Sequence, residues 1–111
     1  MRCKIGKVWV YGEELDQHSR CRHYQTERDI VAIKFPCCQQ YWACYDCHAA
    51  LSGHQPARWP QAKWDTTAIL CGACGAELSI KDYFDCQFQC PVCNASFNPG
   101  CARHYHLYFE Q

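Results

Sequence analysis

Twelve cysteines and six histidines among 111 residues, cysteine pairs set at turn spacing, and apolar runs no longer than a short strand predict a small α+β domain held together by metal. A chain of this length has room for one domain, 1–111, with no separate catalytic domain beside it. So high a cysteine count fits either a disulfide scaffold or a metal scaffold. The histidines favour metal, and so does the opening MRCKIGKVWVYGEEL, whose charges rule it out as a secretory signal peptide. No run approaches the roughly 20 apolar residues of a membrane helix, so a soluble chain with no membrane partner is expected. Lysine plus arginine equals aspartate plus glutamate at 11 each, and no basic block marks a nucleic-acid surface.

The elements follow in order. KVWVYG (7–12) and DIVAIKF (29–35) are short and rich in β-branched and aromatic residues, as strands of small hairpins are. Between them runs a polar segment, 13–28, that carries Cys21 and His23. YDCHAALS (45–52) contains good helix formers and stops at Gly53. Pro56, Trp59, Pro60 and Trp64 fall without periodicity over 55–67, which reads as a linker. Residues 68–97 read as strand, cysteine turn, short helix near 79–84 and a second cysteine turn. The tail, 98–111, is too aromatic to hang free and should fold back on the core.

The most specific local signal is Cys71-x-x-Cys74, fifteen residues, then Cys90-x-x-Cys93, the spacing of a zinc ribbon. Each pair forms a tight turn that points two sulfurs at one place, and two turns complete the tetrahedral shell zinc prefers. Gly72 and Gly75 are expected to give the first turn its backbone freedom. The N-terminal half supplies eight further candidates: Cys21, His23, Cys37, Cys38, Cys44, Cys47, His48 and His54. Eight ligands fill two four-coordinate sites with none left over, and such closed shells mark structural zinc, because catalytic zinc keeps a position open for water. Cys47 and His48 are neighbours whose side chains diverge, so they should serve different ions. The preferred pairing puts Cys21, His23, Cys44 and Cys47 on one zinc and Cys37, Cys38, His48 and His54 on another. Nine thiolates against six positive charges leave the loaded chain at a formal −3, a further argument against phosphate binding.

GEELDQHSRCRHY, DIVAIKFPCCQQYWACYDCH, His54, CGACGAELS and CPVC together resemble the CHY zinc finger family, over about Val10 to Phe109. The resemblance implies a domain holding three zinc ions, and the elements read above make it one of short β-hairpins, one or two short helices and a zinc-ribbon-like C-terminal half. Within it, 10–55 would hold two interleaved zinc sites and 68–111 the ribbon-like half with its aromatic tail. Larger members are ubiquitin ligases with a RING domain, which these residues lack, so the resemblance does not imply ligase activity. Short single-domain members match better. They include a fungal factor of the mitochondrial intermembrane space, thought to assist zinc removal from a sulfhydryl oxidase, and bacterial proteins of unassigned function.

The remaining residues take plainer roles. Cys3 reads as a surface thiol near a loose end and Cys86 as a buried thiol. Cys101, His104 and His106 read as packing residues in preference to a fourth metal site, and His18 as solvated. Trp9 and Trp42 are expected in the core; the linker tryptophans Trp59 and Trp64 are expected to pack onto a subdomain, and of the four are the better candidates for exposed contacts. Every well-placed Cys–His pair is committed to metal, and no open-site motif such as HExxH occurs, so the chain is not expected to be an enzyme. The expected function is a zinc-stabilised module that binds a protein partner. The alternative is a zinc or thiol handling factor for cysteine-rich clients. A bacterial cytoplasm is the favoured compartment, with the mitochondrial intermembrane space as the alternative for a fungal chain.

Overall fold

A computed structural model describes residues 2–98 and 105–110. Six short strands form one sheet in the order β1-β2-β4-β3-β5-β6. β1 (Arg2–Ile5) and β2 (Val8–Tyr11) make a hairpin across Gly6 and Lys7. β3 (Val31–Phe35) and β4 (Gln40–Trp42) make a second hairpin, closed by the turn that carries Cys37 and Cys38. β4 lies parallel to β2, with Val10 opposite Tyr41 and Tyr11 opposite Trp42, and this pairing joins the two hairpins. β3 in turn pairs with β5 (Thr67–Cys71), and β5 with β6 (Glu77–Ser79), so one sheet runs through both halves of the chain.

Among the described residues three short helices follow, α1 (Tyr45–Leu51), α2 (Ile80–Asp85) and α3 (Tyr105–Tyr108), with a 3-10 turn at Gln61–Lys63. Cys44 caps α1, its sulfur accepting from the Cys47 amide, and the Ser79 hydroxyl caps α2 through the Asp82 amide. The β3 strand, both longer helices and the returning tail lie where the sequence places them. The sequence reading missed β4 and β6, of three residues each, and also β1. β1 lies at the sheet edge with Arg2 and Lys4 beside Trp9, and of its residues only Ile5 is buried, so its alternation is too sparse to read. Cys3, expected at a loose end, sits in β1 opposite Val10 and is half-buried.

Trp9 lies outside the core expected for it, whereas the linker tryptophans pack on the domain as expected. Trp9 is 44% exposed, under the Arg2 guanidinium at 4.4 Å, while Trp59 is only 6% exposed. The Trp59 indole Nε1–H donates to the Lys34 carbonyl at 2.6 Å, and its backbone forms a short parallel bridge with the tail, donating to Tyr108 O and accepting from the Glu110 amide. A residue in an aperiodic segment is thus held by strand-like pairing with residues some fifty positions away, which no local pattern encodes. Trp64 is half-buried and meets Phe84 edge to face at 4.7 Å. Trp42 is buried, as expected. Phe84, Phe109 and Tyr105 pack ring against ring and dock the tail on α2.

Candidate metal centres

Twelve side chains from distant parts of the chain gather into three tetrads. Cys21, His23, Cys44 and Cys47 form the first, Cys37, Cys38, His48 and His54 the second, and Cys71, Cys74, Cys90 and Cys93 the third. In each, the four donor atoms lie within 4.8 Å of one another. Zinc held tetrahedrally, about 2.3 Å from sulfur and about 2.0 Å from nitrogen, sets S···S edges of about 3.8 Å and S···N edges of about 3.5 Å. The closest donor-to-donor edges in the three tetrads, 3.3 to 3.8 Å, lie near these values.

The first tetrad lies between the 13–24 segment and the start of α1. Cys21 Sγ is 3.6 Å from Cys44 Sγ, and His23 Nδ1 lies 3.7, 3.5 and 3.5 Å from the sulfurs of Cys21, Cys44 and Cys47. The segment is ordered by Asp16, whose carboxylate accepts from the His18 and Arg20 amides and pairs with the Arg20 guanidinium. The Glu13 amide donates to Cys47 Sγ at 3.3 Å, and the Glu13 carboxylate faces His23 Nε2 at 3.5 Å. A carboxylate behind a ligating imidazole fixes its ring and tautomer. Three thiols this close cannot all ionise without a cation. Hydrogen bonds from Cys44 and Cys47 hold the Cys21 thiol far below its ordinary range, and the bond to Cys21 pushes Cys44 up and Cys47 up to about 11. A divalent ion removes the conflict by deprotonating all three.

The second tetrad joins the β3–β4 turn to the C-terminal end of α1. Cys37 Sγ lies 3.3 Å from both His48 Nε2 and His54 Nε2, and Cys38 Sγ accepts from the Trp42 indole at 3.4 Å. His48 is fully buried, stacked on Phe35 at 4.2 Å with Trp42 at its edge. Burial, with neighbouring His54 second, holds its imidazole below the ordinary value, keeping it in the neutral form that binds metal. Ser52 serves both rings: its hydroxyl is 3.4 Å from His48 Nδ1, and its carbonyl 3.1 Å from His54 Nδ1. Both Nε2 atoms therefore point to the centre. Cys47 and His48, adjacent on α1, diverge to different tetrads.

The third tetrad consists of two nearly equivalent turns. Gly75 N donates to Cys71 O at 2.8 Å and Asn94 N to Cys90 O at 2.9 Å; Cys71 N and Cys90 N return bonds to Ala76 O and Ala95 O, both at 2.9 Å. Gly75 and Asn94 both take positive φ, +77° and +65°. Across the tetrad Cys71 meets Cys93 and Cys74 meets Cys90, both at 3.8 Å. Burial pushes the Cys71 thiol up; at Cys90 burial is outweighed by the Cys93 and Val92 amides, which hold that thiol down. Gly72 has a role other than the one expected. Its φ is unexceptional, but an added Cβ would lie 2.1 Å from the His18 carbonyl oxygen and 2.6 Å from that of Ile30. It is there so that the turn can press against the 18–30 segment.

The twelve candidate ligands fall in the groups their spacing suggests. Sequence reasoning missed the supporting groups Ser52, Glu13, Trp42 and Asn94. Asn94 alone had a local signal, since it follows Cys93 as Gly75 follows Cys74. Of the fourth cluster considered, His106 is exposed, and Cys101 and His104 lie outside the described residues. Cys86 is half-buried, its thiol donating to Tyr83 O at 3.0 Å.

The family model described as CHY zinc finger matches residues 21–98, which include all twelve of these side chains. The chain belongs to the CHY zinc finger family. As in the name, its three Cys/His tetrads are compatible with three zinc ions. This CHY finger is 41% identical over 109 residues to "Helper of Tim protein 13" of Saccharomyces cerevisiae, covering 91% of this chain and 90% of that protein. It is also 41% identical over 103 residues to the protein of the same name from Kluyveromyces lactis, covering 93% and 90%. An uncharacterized protein of Schizosaccharomyces pombe is 38% identical over 101 residues. These relatives are fungal, which overturns the expectation of a bacterial cytoplasm. The charged opening segment on which that expectation drew suits either source. No helix among the described residues is long and apolar enough to cross a membrane.

Proposed function

We propose that this CHY finger is a zinc-scaffolded, non-catalytic protein-binding factor that assists Tim proteins, as the names of its two relatives state for them. The observation that carries the reading is 41% identity spread over about nine-tenths of both chains, so that the likeness extends well beyond the metal ligands. Each of the three tetrads offers four protein donor atoms, enough to fill a tetrahedral zinc shell, which supports a structural use of the metal. The test is complementation. Expressed in Saccharomyces cerevisiae lacking Helper of Tim protein 13, this chain should replace that protein in its help to Tim proteins, and a Cys44→Ser variant should not. Absence of rescue by the zinc-loaded chain at normal abundance would refute the reading.

A second reading, zinc or thiol handling for cysteine-rich clients, is favoured by one observation. Cys37 and His54, side by side in the second tetrad, are both exposed.

A further inference from the structure

The three tetrads differ in exposure and in charge. In the first, Cys21, Cys44 and Cys47 are all buried, and only His23 is half-open. In the third, Cys71 and Cys90 are buried and Cys74 and Cys93 exposed. In the second, the Cys37–His54 edge, 3.3 Å long, faces solvent. Gly53, the residue before His54, stands in open space, with nothing within 4 Å of where a Cβ would be. Charge separates the two partly open sites. Ligating cysteines are thiolates and ligating histidines neutral. With a divalent ion the second tetrad is neutral, the first carries −1 and the third −2. An approaching thiolate is repelled by the third centre and shut out of the first. Only the second is both reachable and uncharged.

We infer that the Cys37–Cys38–His48–His54 centre is the exchangeable site of this protein, giving up its zinc to thiolates while the other two centres hold the fold. His54 is the ligand that yields. It is exposed, leaves as a neutral imidazole, and is held at Nδ1 by the Ser52 carbonyl, while its Nε2 faces Cys37 within the tetrad. The incoming sulfur lone pair forms the new bond to the ion as Nε2 departs with its own lone pair. No electron changes hands and no oxidant is required. His48, buried against Phe35, and Cys38, beside Trp42, keep the site's inner half in place for reloading. The inference rests on the zinc-binding character of the chain and not on the identity of its partner.

The experiment uses the full chain with three bound ions verified by elemental analysis, so that a failure of zinc binding itself is detected before any exchange is measured. Cobalt is then substituted for zinc, and the ions are withdrawn by EDTA in the presence of glutathione as the thiolate. Sulfur-to-cobalt absorbance follows the number of thiolates at each ion. The first ion to leave should take about two ninths of it, in a separate phase whose rate rises with glutathione. A first loss of about one third or about four ninths, which would mark the first or third tetrad, overturns the inference, as does one phase for all three ions or a rate independent of glutathione. His54→Cys, which adds a third thiolate to the site, should slow the first phase. An unchanged rate in a variant that still holds three ions would also overturn it.

Discussion

At Gly72 a side chain has nowhere to go, because the nearest atoms are the backbone oxygens of His18 and Ile30 and neither can rotate away. Gly72→Ala must therefore separate the Cys71 turn from the 18–30 segment and strain the Gly72 amide's bond to Ile30 O, now 2.6 Å. Overpacking of this kind costs about 1–3 kcal/mol. Thermal unfolding of the zinc-loaded variant should show a clear fall in Tm, and a Tm equal to that of the parent chain would contradict the contact. Asn94 presents the opposite case. It holds φ +65° in a turn whose twin places glycine there, and its side chain is exposed. Asn94→Gly should leave stability unchanged or raise it slightly, whereas Asn94→Val, β-branched at positive φ, should lower it by about 1–2 kcal/mol. Equal effects from the two variants would contradict the equivalence of the turns.

Among the elements, α1 contributes most to the metal centres. It starts at Cys44, sends Cys47 to the first tetrad and His48 to the second, and ends where Ser52 orients two imidazoles. Much of this was legible in YDCHAALSGH, because consecutive residues on a helix point about 100° apart and adjacent ligands must part. β3 was legible from its β-branched and apolar run. β1 and the bridge between Trp59 and Phe109 were not, since edge pairing and contacts between remote segments leave no period in the sequence. Candidate ligands are marked by residue type and so are legible locally, whereas the exposure of Trp9 and the partners of Trp59 depend on neighbours far along the chain. The buried His48 also sets a pH dependence. Its folded value lies below the ordinary 6.5, so below that pH the unfolded chain takes up a proton that the folded chain refuses. Stability of the zinc-loaded chain to chemical denaturation should decline as pH falls, first below about 8.5 where free thiols bind protons, and further beneath about 6.5 as the share of His48 is lost. Stability that rose on acidification would contradict this account of His48.

For the whole molecule, the central claim is that metal holds together strands of three to five residues. The first tetrad ties the 13–24 segment to α1, the second ties α1 to the β3–β4 turn, and the third closes the C-terminal half onto β5. Each structural zinc contributes on the order of 10 kcal/mol of apparent binding free energy, comparable to the entire net stability of an ordinary domain. The most direct test combines elemental analysis of the purified chain with its circular dichroism before and after complete zinc removal under reducing conditions. Three zinc ions per chain, and a native spectrum lost when they are removed, are the predicted result. Two or fewer ions in the folded chain, or a native spectrum that survives verified removal of all zinc, would contradict it.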